Sequence, residues 1–141
     1  MRANPLPITR RFAILAAIAL PAAAVLAQGT APKAFTVVES GASFASLQDA
    51  VNAVGNTRAT IRIAPGTYRQ CAVQQAGVII YEAAEPGSVT FAGRACEGKA
   101  ALVLRGTGAE IRGLTFTGIT VPDGNGAGIR LERGALNVAH T

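Results

Sequence analysis

The sequence is poor in the residues that most often carry out chemistry. It contains one histidine, no tryptophan and only 5% aromatic residues, and 15% of its 141 residues are charged. No serine or cysteine nucleophile motif accompanies His140, so we expect a solvent-facing strand residue there and not a catalytic base. The only aspartates are Asp49 and Asp123, so no acidic cluster for metal binding or acid–base catalysis is visible, and no cofactor is evident.

Residues 1–27 are predicted to be a signal peptide and not part of the fold. Three arginines precede the apolar run 12–26, which is shorter than the roughly 20 residues that a bilayer span needs. Small residues lie three places and one place before Gln28, so cleavage is expected after Ala27. The general secretory route is favoured over the twin-arginine route, because Phe12 directly follows two of the arginines. The protein is therefore expected in the periplasm or outside the cell.

Loss of this segment changes the charge of the chain. The net charge falls from +5 to about +2, because three arginines are removed and every acidic residue stays. No basic run or aromatic platform remains, which argues against nucleic acid as a partner. An uncleaved membrane anchor is the alternative, but Pro21 and the alanine-rich end of the segment disfavour a spanning helix. After cleavage no membrane contact is expected.

The chain also lacks helical patterning over most of its length. No ten-residue helical pattern occurs between residues 57 and 141, which argues against alternating α/β units. Short apolar strands alternate instead with turn signals, and Ile129 and Leu131 flank the polar Arg130 with the period of two that is typical of a strand. This favours an all-β architecture, for which a parallel β-solenoid, a leucine-rich repeat and an antiparallel sandwich are the alternatives.

Two segments recur at nearly the same interval. Phe91 and Phe116 occupy matching positions in one of them, and Leu102 and Ile129 occupy matching positions in the other. Self-similarity at an interval of roughly 25 residues is typical of stacked repeats that bury their apolar faces against their neighbours. The repeats predict a solenoid.

One helix is predicted upstream of these repeats. Residues 28–34 are predicted to be a linker, and residues 35–56 a strand followed by a helix. Ser46 and Asp49 form a capping box, an apolar stripe follows, and Gly55 ends the helix. The helix is expected to cover the open end of the first repeat, so that residues 57–141 form the first coils.

Four stretches carry a resemblance to a known family. FTVVESGASFASLQDAVNAVG, ATIRIAPGTYRQC, GLTFTGI and NGAGIRLERGALNV resemble the N-terminal part of bacterial right-handed parallel β-helix repeat proteins, the pectate-lyase-like superfamily, over residues 35–141. The resemblance implies an all-β, right-handed parallel β-helix with a short N-terminal amphipathic capping helix. Because the sequence stops inside a strand, we expect it to be an N-terminal fragment, truncated at the C-terminus.

The resemblance also sets the functional expectation. Pectate lyases of this superfamily are expected to use clustered acidic residues for calcium and an arginine base, and the cluster is missing. We expect an exported protein that binds or processes polysaccharide, with any catalytic residues outside this chain, which alone should be inactive. If the whole protein is an enzyme, a polysaccharide lyase or a glycoside hydrolase is expected. The alternative is a non-catalytic structural or adhesion solenoid of the envelope.

Arginines supply the candidate ligand-binding residues. Arg62, Arg112 and Arg130 occupy outward strand positions, where a ladder of guanidinium groups would pair with the carboxylates of an acidic polysaccharide. The simpler interpretation is a solvated face. A metal site at Asp123 is not expected, because Ala127 stands where a calcium loop needs a third oxygen ligand.

The two cysteines are predicted to form a disulfide. The interval from Cys71 to Cys96 equals the interval between the two matching phenylalanines, so the cysteines should lie beside each other on neighbouring repeats. An oxidising compartment would join them. The alternative is two separate buried thiols.

Overall fold

The computed structural model describes residues 3–5, 16–19, 29 and 31–141. The predicted signal peptide, residues 1–27, falls mainly outside these ranges and stays a prediction. Within them, no helix is long and apolar enough to cross a bilayer.

Twelve strands and one helix make up the described fold. Their bounds are β1 Phe35–Val37, β2 Ala42–Phe44, α1 Leu47–Val54, β3 Arg58–Ile63, β4 Gly66–Tyr68, β5 Ala72–Gln74, β6 Val78–Ala83, β7 Val89–Ala92, β8 Ala100–Leu104, β9 Gly108–Arg112, β10 Leu114–Thr117, β11 Ala127–Leu131 and β12 Ala135–Ala139.

The strands form three sheets. The largest has the order β12-β9-β6-β3-β1-β2, and the two others have the orders β10-β7-β4 and β11-β8-β5. From β3 onward every pairing is parallel and joins strands that are three apart in chain order, whereas β1 pairs antiparallel with both β2 and β3. Parallel partners must be linked by crossover connections, and here the strands of the other two sheets supply them.

The positions that match in the sequence are partners in the sheets. Phe91 faces Phe116 in the β7–β10 pair, and Leu102 faces Ile129 in the β8–β11 pair. The rings of Phe91 and Phe116 stack with centroids 5.8 Å apart, and Tyr68 lies on the other side of Phe91 at 5.7 Å. Equivalent positions on successive strands therefore place like side chains in one row.

The core contains one polar pair. Tyr81 is fully buried, and its hydroxyl donates a hydrogen bond of 3.1 Å to the Gln74 side-chain oxygen. The amide nitrogen of Gln74 donates in turn to the Gly108 carbonyl at 2.9 Å and to the Gly77 carbonyl at 3.2 Å. Burial raises the pKa of Tyr81, so this residue stays a neutral donor. The pair is buried without leaving an unsatisfied polar group.

The helix is confirmed where the sequence predicts it. The Ser46 hydroxyl accepts a hydrogen bond from the Asp49 backbone N–H at 3.3 Å, and Gly55 follows the last turn with positive φ. Leu47, Ala50, Val51 and Val54 are buried in the same core as the strands. The Gln48 side chain bonds the backbone N–H and carbonyl of Val73 on the edge strand β5, at 2.7 and 3.0 Å. A side chain thus replaces the missing neighbour of that strand.

The predicted fold class is wrong. The described chain is not an all-β right-handed parallel β-helix (solenoid) with a helix serving only as a cap. It is a mixed α/β arrangement, with three sheets of mostly parallel strands and one helix that shares the core. The prediction extended the two similar intervals of the matching segments to the whole chain. The paired positions Arg62 and Glu82 are 20 residues apart, Glu82 and Arg112 are 30 apart, and no constant repeat length is kept.

A corner missed in the sequence explains part of this error. Ile111 and Leu114 are only three residues apart, yet they lie in β9 and β10, which belong to different sheets. Gly113 turns the chain between them with φ of +70°, and a Cβ there would lie 3.0 Å from the Pro86 Cα. Only glycine fits this combination of backbone angle and close approach.

Candidate functional site

Three charged side chains form a row on the outer face of the largest sheet. Arg62 on β3 is the register partner of Glu82 on β6, which is the partner of Arg112 on β9. Their neighbours along each strand, among them Ile61, Tyr81 and Ile111, are buried, so alternation turns the charged residues outward. Because neighbouring strands are about 4.8 Å apart, the two arginine positions lie about 10 Å from each other, with the carboxylate between them.

Ion pairs hold this row together. Arg62 donates to the Glu82 carboxylate through Nε at 3.3 Å and Nη2 at 3.2 Å. Arg112 donates through Nη1 to the other Glu82 oxygen at 3.5 Å, and through Nε to Glu110 at 2.8 Å. The hydrogen bond to Glu110 is the main reason that the pKa of Arg112 is raised. Glu82 thus fixes two guanidinium groups at once.

Each guanidinium keeps a donor for a ligand. Arg62 Nη1 and Arg112 Nη2 form no hydrogen bond with a residue that the structure describes. The arginine side chains are 52% and 44% exposed, which leaves these donors accessible to an incoming acceptor. The row therefore presents two exposed guanidinium groups, each with a free terminal donor.

The row borders a cleft. This cleft has a volume of about 740 Å³. Its polar lining consists of Arg62, Glu82, Arg112 and His140. Its apolar lining consists of Ala83, Ala84, Pro86, Gly113 and Ala139. His140 follows β12 with φ of +55°, so it lies just after the strand in which it was expected. Charged groups and small apolar side chains share one concave surface.

Arg130 is not part of this cleft. It lies on β11, in a different sheet, where its Nε is 3.7 Å from Glu132. Lys99 and Arg105 also bind Glu132, and Arg105 binds Glu97. The pKa of Glu132 is lowered to about 2, first by the hydrogen bond from Lys99 and then by that from Arg105. Of the three predicted arginines, the structure brings together Arg62 and Arg112 and leaves the third in this separate network.

The loop at Asp123 is a turn. The Asp123 side chain accepts a hydrogen bond of 3.0 Å from the Asn125 backbone N–H, which lowers the pKa of this carboxyl. This is the local bond that an aspartate makes in a tight turn. Across the part of the chain that the structure describes, no three histidine, cysteine or acidic residues cluster as a metal site would require.

The predicted disulfide is present. Cys71 and Cys96 are bonded, with their Cα atoms 5.4 Å apart. The bond joins the segment before β5 to the segment before β8, and these two strands are partners in one sheet. The alternative of two separate thiols is wrong.

Glu82 and Glu110 are the site residues that the sequence reasoning missed. Glu82 stands at an alternate position of the strand VIIYEA, so its outward direction was readable from the period of two. Its pairing with both arginines could not be predicted, because the interval between paired positions is 20 residues from Arg62 to Glu82 but 30 residues from Glu82 to Arg112. Glu110 is likewise the outward residue two positions before Arg112.

No known protein family, curated protein or solved structure matches the chain. The resemblance to the pectate-lyase-like superfamily thus stays a prediction, and its fold does not describe the chain. Function has to be argued from the cleft itself.

Proposed function

We propose that the protein is exported and binds an acidic polysaccharide in the cleft between Arg62 and Arg112. The observation that carries this proposal is the pair of guanidinium groups that one carboxylate, Glu82, contacts in a concave surface. Arginine is suited to planar carboxylates, because its donors match the two carboxylate oxygens. The alanine and proline residues of the same cleft fit the C–H faces of sugar rings.

The internal ion pairs do not prevent such binding. Exposed pairs contribute only about 0.2–1 kcal/mol each, so a sugar carboxylate can compete with Glu82 at small cost. Arg62 and Arg112 are half exposed, and each has a terminal amino group that can donate a hydrogen bond to a ligand without rearrangement. Salt screens interactions between exposed charges, so binding of the polysaccharide should weaken as salt is added.

The proposal predicts charge-dependent binding of uronic acid chains. Isothermal titration with a galacturonate oligosaccharide should give saturable binding, and the methyl-esterified form should bind much more weakly because it lacks the charge. Arg62→Gln and Arg112→Gln should each lower the affinity about five- to tenfold, the loss expected for one charge-assisted contact. The matched control is Arg133→Gln, which removes an arginine that lies outside the cleft.

Two outcomes would contradict this function. Equal affinity for the charged and esterified sugars would remove the role of the arginines. Absence of any binding would favour the alternative of a non-catalytic structural protein of the envelope. We further propose binding without cleavage, so incubation with polygalacturonate or alginate should yield no unsaturated products that absorb in the ultraviolet.

A further inference from the structure

A second cavity lies beside the disulfide and the start of α1. Its volume is about 400 Å³. It lies outside the proposed polysaccharide cleft, and the two share no lining residue. The lining residues are Ser46, Gln48, Arg69, Gln70, Cys71, Arg94 and Cys96.

The charge in this cavity is of one sign. Arg69 and Arg94 form no ion pair and no side-chain hydrogen bond with any residue that the structure describes. All eight acidic residues of the chain lie between residues 39 and 132, within the described part, and none lines the cavity. Arg62, Arg105 and Arg112, in contrast, all have carboxylate partners. The two cavity arginines are therefore left without a counter-charge.

The disulfide keeps these arginines near each other. Each stands two residues before a bonded cysteine, and the two cysteine Cα atoms are 5.4 Å apart. The Arg69 guanidinium lies over Gly93, the residue before Arg94, because a Cβ at Gly93 would be 3.1 Å from Arg69 Nη1. Like charges repel, so an anion bound between the two arginines would reduce this repulsion.

The donors around the cavity are partly committed. Gln48 bonds the backbone of Val73, and the amide group of Gln70 donates to the Ala45 carbonyl while its oxygen accepts from the Leu47 N–H. Ser46 accepts from Asp49 through its hydroxyl oxygen, and the hydroxyl hydrogen has no acceptor in the described part. Two guanidinium groups, one hydroxyl and the second amide hydrogen of Gln70 therefore remain to donate.

We infer that this cavity binds an oxyanion group, sulfate or phosphate, between Arg69 and Arg94. Such a group accepts hydrogen bonds on several oxygens and matches two guanidinium forks together with a hydroxyl. No carboxylate lines this cavity, whereas Glu82 lines the proposed polysaccharide cleft. The inference does not depend on the polysaccharide proposal.

The test follows the arginine side-chain resonances of the oxidised chain by nuclear magnetic resonance while sodium sulfate replaces sodium chloride at constant ionic strength. The Arg69 and Arg94 Nε–H signals should shift in a saturable way. Arg69→Gln and Arg94→Gln should each weaken sulfate binding about tenfold, and Arg94→Lys, which keeps the charge but not the fork, should weaken it less. The control Arg58→Gln changes an exposed arginine that does not line the cavity and should leave sulfate binding unchanged.

Chemical shifts that change linearly without saturating would overturn the inference. Equal losses of sulfate affinity in Arg94→Gln and Arg58→Gln would overturn it as well. Circular dichroism melts check that each variant is folded. If only one of Arg69→Gln and Arg94→Gln folds, that variant alone decides the result. Repeating the titration with a sulfated oligosaccharide and with vesicles containing phosphatidylglycerol distinguishes a glycan sulfate from a lipid phosphate as the source of the group.

Discussion

Glu132 is the carboxylate that Lys99, Arg105 and Arg130 share. Its pKa lies at about 2, below the ordinary value of 4.5, because Lys99 and Arg105 donate to it. Glu97 shares Arg105, and Arg130, two residues before Glu132 in the chain, lies 3.7 Å from its carboxylate. A lowered pKa stabilises the fold fully above pH 4.5, and this contribution is lost as the pH falls towards about 2.

Glu132→Gln should therefore reduce the loss of stability that the folded protein shows as the pH falls below 4.5. Melting temperatures of the two proteins should differ most above pH 4.5 and converge as the pH falls to about 2. Glu85→Gln is the matched control, because Glu85 is exposed and forms no ion pair within the described part. A difference between wild type and Glu132→Gln that persists unchanged at pH 2 would show that the network does not depend on this charge.

Single residues were predictable only as far as local patterns reach. Period-two alternation correctly turned Arg62 and Arg112 outward, and the structure places them on one face. Alternation does not say which sheet a strand joins, so Arg130 was grouped with them although it belongs to another sheet. Arg69 and Arg94 each stand two residues before a cysteine. The interval between the cysteines predicted the disulfide, and the same interval also brings these two arginines to matching positions.

Among the elements, the helix and the disulfide were predictable because their signals are local or discrete. A serine cap, a four-residue apolar stripe and a closing glycine define α1 without reference to the rest of the chain. The antiparallel pairing of β1 with β2 and β3 was not predictable, since the three-residue strands β1 and β2 have no period long enough to read. The repeat intervals found real strand partners, yet they did not determine the architecture, because the connections differ in length.

The disulfide should contribute strongly to the stability of the strand pair β5–β8. Closing a loop of 25 residues stabilises a chain by about 3 kcal/mol on the chain-entropy model. Urea unfolding of the oxidised protein and of the double variant Cys71→Ala/Cys96→Ala should show this difference in the free energy of unfolding. Thiol titration of the unfolded, unreduced protein should find no free thiol, and two free thiols would contradict the bond.

The whole molecule is proposed to act outside the cytoplasm. This rests on the basic and apolar N-terminal segment, and the disulfide is compatible with it. Protein recovered from the periplasm or the medium should begin at Gln28 when its N-terminus is sequenced. Recovery of chains that still carry Met1 in the membrane fraction would contradict cleavage after Ala27.

We propose that Glu82 positions two arginines and competes with the carboxylate of a polysaccharide for them. The affinity of Glu82→Gln for a galacturonate oligosaccharide, compared with wild type and with Arg112→Gln in the same buffer, tests this competition. Glutamine keeps an oxygen that accepts from an arginine but removes the competing charge, so affinity should rise severalfold, while Arg112→Gln lowers it. An affinity of Glu82→Gln that is unchanged, or that falls like that of Arg112→Gln, would show that Glu82 does not compete with the ligand.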